Sequence, residues 1–85
     1  MKFEVYTDPG HGWVKVKISL LEKLGIAEQI TSYSYMRGEY AYLEEDLDAT
    51  TFRQAMREAG IPVEFKIYRC GNRLSRIRNY ADYVI

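Results

Sequence analysis

The chain has 85 residues, of which 47% are hydrophobic and 28% charged, with two prolines and one cysteine. That length allows one domain with one modest core, and the apolar share excludes a disordered chain. A single thiol, Cys70, excludes an internal disulfide and any cysteine-built metal set, and twelve basic side chains cancel twelve acidic ones.

The first elements are two alternating runs. "KFEVY" puts Phe3 and Val5 on one face and Lys2, Glu4 and Tyr6 on the other, and "WVKVKI" sets Val14, Val16 and Ile18 against Trp13, Lys15 and Lys17. Period two with β-branched residues predicts strands with one wet side. Between them lies "TDPGHG", where Pro9 presets φ, Gly10 is expected at positive φ, and the Asp8 carboxylate can accept from nearby backbone N–H groups. Residues 2–18 therefore read as a β-hairpin with a loop of about five residues. His11, the only histidine, falls at the tip between two glycines. A general base needs a positioned partner and a substrate pocket, and a bare tip supplies neither. His11 and Trp13 are read as turn residues or as contact residues for a partner. Trp13 is expected to be packed and His11 exposed.

Ser19 and Glu22 match a capping box that opens a helix with Leu20, Leu21 and Leu24 on one stripe and Gly25 at its end. "IAEQI" adds a short turn with Ile26 and Ile30 inward, and "TSYSYMRG" reads as an irregular link. "EYAYLEE" predicts a third strand, with Tyr40 and Tyr42 opposite Ala41 and Leu43. "DLDATTFRQAMREAG" predicts a helix with Asp48 as N-cap, an apolar stripe of Phe52, Ala55, Met56 and Ala59, and Gly60 as its stop. "VEFKIYR" predicts a fourth strand with Val63, Phe65 and Ile67 inward. The end, "CGNRLSRIRNYADYVI", fits a helix face or an extended run equally. The expected fold is α+β in the order β-β-α-β-α-β, a four-stranded, mainly antiparallel sheet with two helices on one face.

Charge is uneven along the chain. Residues 44–65 carry six carboxylates against Arg53 and Arg57, and residues 66–85 carry five cations against Asp82. The two segments either pack together and neutralise each other or leave a dipolar surface that steers a partner. Glu44, Glu45, Asp46 and Asp48 lack the glycine and the ligand spacing of a calcium loop. Acidic residues at a helix start are favoured by its dipole in any case.

Eight tyrosines are the strongest compositional signal. Tyr33, Tyr35, Tyr40 and Tyr42, with Arg37 among them, suit a protein interface, because Tyr and Arg bury area at little entropic cost. The same residues can stack on bases of single-stranded nucleic acid, and Tyr40 and Tyr42 can equally just cover one face of the sheet. The acidic Glu44, Glu45 and Asp46, with His11 and Trp13, complete that candidate surface. The alternative is a nucleic-acid contact made by Arg73, Arg76, Arg78 and Tyr80, where cations interleave with aromatics. Against it stands a net charge of zero. No catalytic set is present: there is no second histidine, no G-x-S-x-G, no phosphate loop and no Cys–His pair. The expectation is a non-enzymatic binding protein without cofactor or metal. The lone thiol, the absence of an apolar stretch in "MKFEVYTDPG" and the absence of any ~20-residue apolar run point to the cytoplasm of a host cell.

Through "DPGHGW", "ISLLEKLGI", "YSYMRGEYAYLEED" and "SRIRNY" the chain resembles small accessory proteins encoded on phages and plasmids of proteobacteria. The resemblance implies an anti-defence role of the anti-CRISPR or antirestriction type, acting by protein–protein contact on a host defence complex. The neutral charge departs from the strongly acidic DNA mimics among such proteins.

Overall fold

The computed structural model describes residues 1–85. The expected hairpin is present: β1 (Lys2–Thr7) pairs antiparallel with β2 (Gly12–Lys17), with Glu4 opposite Lys15 and Tyr6 opposite Trp13. The turn differs in one respect. Gly10 does not have positive φ, because the Asp8 carboxylate holds the Gly10 and His11 N–H groups at 3.0 Å and closes the loop without a left-handed residue.

The helix α1 (Ile18–Lys23) begins one residue earlier than expected, straight from the end of β2. Ser19 therefore lies inside the first turn and makes no capping bond. A 3-10 turn at Ala27–Gln29 follows, with Ile26 and Ile30 buried as expected. The supposed irregular link contains a strand, β3 (Tyr35–Arg37), which pairs antiparallel with β4 (Tyr40–Glu44).

The second helix, α2, spans Asp48–Glu58 and stops at Gly60, whose φ is 71°. Asp48 is not its N-cap. Glu44 does that work: its carboxylate accepts from the backbone N–H groups of Asp46, Leu47 and Asp48. Asp48, fully buried, turns away to hold the segment before β3. It accepts from the Thr31 N–H, from Thr31 Oγ1 at 2.8 Å and from Ser34 Oγ. Removing it strands those donors, so Asp48→Ala is expected to cost about 2–3 kcal/mol in chemical denaturation. A change within about 0.5 kcal/mol would show that water replaces the carboxylate and that the clasp is dispensable.

After α2 the chain returns as β5 (Glu64–Arg69), parallel to β1, with Phe65 beside Phe3 and Ile67 beside Val5. The tail forms a 3-10 turn at Arg76–Asn79 and a two-residue strand, β6 (Ala81–Asp82), against β3. The fold is α+β with two helices, but the sheet is mixed and six-stranded, in the order β5-β1-β2-β4-β3-β6. The element order is thus β-β-α-β-β-α-β-β, with two short strands beyond the four expected.

The register assigns each side chain to a face. The helix side carries Phe3, Val14, Val16, Ala41 and Leu43, packed on Leu21, Phe52 and Met56, with Phe3 and Phe52 edge to face at 5.0 Å. Phe65 and Ile67 share this side by register, yet both are exposed, because β5 is an outer strand beyond the helical cover. On the opposite side a smaller core of Trp13, Tyr42 and Ile77 forms where the tail folds over the sheet. Tyr83 returns to the main core and donates its hydroxyl to the Ala27 carbonyl at 2.7 Å. No helix is long and apolar enough to cross a membrane.

Candidate functional site

The sheet face opposite the helices gathers most of the chain's aromatic and cationic side chains. By register it presents Lys2, Glu4 and Tyr6 from β1, Trp13, Lys15 and Lys17 from β2, Tyr40 and Tyr42 from β4, Tyr35 and Arg37 from β3, and Lys66 and Tyr68 from β5. Alternation fixes this set: each of these residues stands one position from a residue on the helix side of the sheet.

The tail covers part of this face through one polar joint. Asp8, whose side chain is fully buried, accepts from Arg78 Nε at 2.6 Å, Arg78 Nη2 at 2.8 Å and the Ser75 N–H at 2.9 Å, besides the two turn amides. The Arg78 guanidinium above all, with the Ser75, Gly10 and His11 amides, outweighs the opposing effect of burial. It holds the Asp8 carboxyl well below the usual carboxylate range. Arg78 in turn lies over the Trp13 ring, 5.5 Å from its centroid. Arg78 is thus a structural cation that locks the tail to the hairpin turn, and Ser75 caps the 3-10 turn by accepting from the Ile77 N–H.

Two depressions remain open on the face. The first, about 870 Å³, takes in Lys2, Lys15, Lys17, Lys66, Tyr40 and Tyr68 from the strands and extends to Ser19, Leu20 and Lys23 of α1, and its only carboxylate is Glu4. Glu4 is itself engaged, 3.7 Å from Lys15 and accepting from the Tyr6 hydroxyl at 2.8 Å. Burial first, and then that bond to Glu4, push the Tyr6 phenol up to about 12, so it stays a neutral donor. The second depression, about 790 Å³, is lined by Tyr6, Lys15, Tyr42, Arg73, Arg76, Arg78 and Tyr80 and contains no carboxylate. Lys15 lines both, so the two depressions adjoin at that side chain and together form the lysine–tyrosine trough. Cations sit on ring faces along it: Lys15 is 4.3 Å from the Tyr40 centroid, Lys66 is 5.3 Å from Tyr68, and Arg37 is 5.0 Å from Tyr80. The Tyr6 and Tyr68 rings stack at 5.3 Å.

The ion pairs bear on one alternative. The only two ion pairs are Lys15–Glu4 and Arg78–Asp8, so no direct ion pair links the acidic segment 44–65 to the basic segment 66–85. The other carboxylates on this face are Glu44, at the turn end of β4 and held as the α2 cap, and Glu64 and Asp82 on the two outermost strands; none of the three lines either depression.

The candidate residues for protein contact separate into groups. Trp13 (2% exposed) and Tyr42 (8%) are buried under the tail, and burial raises the Tyr42 phenol. Both are packing residues rather than free contacts. His11, Tyr33, Tyr35, Glu44 and Asp46 come together with Leu47, Arg78 and the edge of Trp13 around a cleft of about 450 Å³ at the turn end of the sheet. His11 and Tyr33 are exposed there, while Glu44 is held as the α2 cap. Burial raises the Glu44 carboxyl, the three backbone N–H donors outweigh it, and the net shift is downward. Glu45 is exposed nearby, beside Gly12. Tyr40 lines the first basic depression, while Arg37 lies over the Tyr80 ring in a separate depression with Arg76. The lysines of the first depression were not among the sequence candidates. The alternation of "KFEVY", "WVKVK" and "VEFKIYR" already put Lys2, Lys15, Lys17 and Lys66 on wet faces, but it could not say that those faces are one face. No group of three or more His, Cys, Asp and Glu side chains is arranged to hold a metal ion.

No family model, curated protein or solved structure matches this chain.

Proposed function

We propose that the domain is a non-enzymatic binding module for single-stranded nucleic acid, held along the lysine–tyrosine trough. The observation that carries this reading is the spatial segregation of charge. A chain of zero net charge lines two adjoining depressions with five lysines, Arg73 and Arg76 against a single, already engaged carboxylate. Net charge averages over the whole surface, whereas a polyanion responds to the local potential. The tyrosines supply the second ingredient, since base–aromatic stacking adds about 1–3 kcal/mol per base and tolerates any sequence. A six-stranded face is wider than the ~12 Å major groove of an undeformed duplex, and this favours a single strand. Lys15, Lys17, Lys66, Arg73 and Arg76 take phosphates; Tyr40, Tyr68 and Tyr80 take bases. Arg78 contributes to the fold and to the trough wall. In a cytoplasmic mobile-element protein, such a module would act on transcripts or on displaced strands.

Fluorescence anisotropy with labelled single-stranded RNA, single-stranded DNA and duplex DNA tests this. Affinity for single strands is expected to exceed that for the duplex and to fall linearly in log–log form with salt. Each phosphate-contacting lysine removed is expected to lower that slope by about 0.7. Tyr68→Ala is expected to weaken binding roughly 5- to 100-fold, the equivalent of about 1–3 kcal/mol of stacking. Absence of binding at low salt, or binding unchanged in Lys17→Ala/Lys66→Ala/Arg73→Ala, would remove the proposal.

A second reading, contact with a protein of a host defence complex, is supported by the convergence of His11, Tyr33, Tyr35 and Asp46 on one cleft at the turn end. Plaque and plasmid-transformation assays in hosts with defined CRISPR or restriction systems test it. Rescue lost in His11→Ala/Tyr33→Ala supports this reading. No rescue by the folded protein in any system counts against it.

A further inference from the structure

The outer strand β5 is the least protected part of the molecule. All six of its residues are exposed, including Phe65 at 37%, Ile67 at 51% and Tyr68 at 37%. Outer strands are ordinarily blunted by charged side chains, proline, a bulge or a covering loop, because a bare edge is a template for pairing. Strand β5 has Glu64, Lys66 and Arg69 but none of the devices that block its backbone. Residues 64–69, "EFKIYR", contain no proline, and the strand runs in unbroken register with β1.

The backbone phase of that edge is fixed. The Glu64 N–H donates to the Met1 carbonyl and the Cys70 N–H to the Thr7 carbonyl, both at 2.9 Å. Alternation then turns residues 64, 66, 68 and 70 toward β1 and aims the N–H and C=O groups of Phe65, Ile67 and Arg69 outward. These are the groups an added strand would meet.

We infer that the edge pairs with the β5 strand of a second copy of this chain, antiparallel, with Ile67 on the two-fold axis. A strand joining a sheet must keep its side-chain phase, so only every second register is allowed. With Ile67 opposite the second copy's Ile67, Phe65 faces Arg69 and Lys66 faces Tyr68, each pair made twice. Every outward N–H and C=O finds a partner and no like charges meet. The next register on one side sets Lys66 against Lys66, which is unfavourable for directly opposed residues. The next on the other side shortens the overlap. The central register also repeats an existing preference, since Lys66 already lies over a tyrosine ring. The seam joins Lys66 and Tyr68 of one copy to those of the other, so two lysine–tyrosine troughs lie side by side on a twelve-stranded sheet. The pairing rests on the edge alone and holds whether or not nucleic acid binds.

Light scattering behind size exclusion, over a concentration series, reads the assembly directly. The expected mass at high concentration is twice 10.0 kDa. Ile67→Lys, which sets two ammonium groups against each other on the axis, is expected to return it to 10.0 kDa with an unchanged melting temperature, since Ile67 is half exposed in the single copy. Register is tested by oxidation in a Cys70→Ser background. Ile67→Cys is expected to form an intermolecular disulfide, because an opposed hydrogen-bonded pair stands about 5.5 Å apart between Cα atoms, within disulfide reach. Lys66→Cys is expected to cross-link far more slowly. A mass of 10.0 kDa at every concentration, a dimer that survives Ile67→Lys, or preferential cross-linking at position 66 would each overturn the inference.

Discussion

Trp13→Ala is expected to cost the domain about 3–5 kcal/mol, the usual price of emptying a buried large aromatic site. The indole is 2% exposed and is the centre of the smaller core. Tyr35 meets it edge-on at 6.2 Å, Arg78 lies over its ring, and Ile77 closes the cluster from the tail. Alanine would leave a cavity under residues 75–80 that little local structure can collapse to fill. The tail should therefore loosen before the rest of the sheet. Urea denaturation followed by circular dichroism gives the total loss, and hydrogen exchange at the Ile77 and Tyr80 amides locates it. His11→Ala is the internal comparison. His11 is exposed, 6.1 Å from the same indole, and its removal should change stability by less than about 0.5 kcal/mol. If Trp13→Ala were equally mild, the second core would contribute nothing and the tail would be held by Asp8 alone.

The parts of the fold that were legible in the sequence are those whose signal is local. Period-two alternation marked β1, β2 and β4, and the stripe of Phe52, Ala55 and Met56 marked α2, with all of Phe3, Val14, Val16, Leu43, Phe52 and Met56 in the core. What escaped was shorter or longer than a local signal. Three residues of β3 and two of β6 are too few to alternate visibly, and both depend on neighbours for their pairing. One cue at β3 was available: Gly38 and Glu39 form a two-residue link between Arg37 and Tyr40, with Gly38 at φ 60°, the pattern of a tight hairpin. The parallel pairing of β5 with β1 joins residues some sixty positions apart, and no spacing announces it. It also explains why Phe65 and Ile67, apolar and on the core side, remain exposed.

The candidate site was legible to a similar extent. Alternation set Lys15 and Lys17 on one face and Tyr40 and Tyr42 on one face, but only the strand order unites them with each other and with Lys2, Lys66 and Tyr68, and only the tail explains why Tyr42 is buried there. Zero net charge then misleads, because it sums the trough with carboxylates that lie elsewhere. The arginines of the tail divide in the same way. Arg73 and Arg76 face the trough with no ion-pair partner, whereas Arg78 is spent on a carboxylate seventy residues away.

That last pair sets the acid stability of the domain. Asp8→Asn is expected to destabilise the protein by about 2–3 kcal/mol at neutral pH, because the amide keeps one acceptor oxygen but turns an NH2 group toward donors on Arg78 and Ser75. The pH dependence follows from the direction of the shift. In the unfolded chain an aspartate titrates near ~3.9, and in the folded protein the Arg78 guanidinium holds the Asp8 carboxyl far lower. A depressed carboxyl contributes stability that is fully present above the unfolded value and is lost as pH falls below it, since the unfolded chain then binds the proton first. The wild-type protein should therefore lose melting temperature progressively below about pH 4. Glu44, also lowered, acts in the same sense in both proteins and cancels in the comparison. The gap between wild type and Asp8→Asn should be constant near neutrality and close as the solution is taken down through pH 4 toward pH 2. Thermal melts across that range measure it. Parallel curves would mean that the carboxylate charge carries none of the joint and that Asp8 acts through its hydrogen-bond geometry alone.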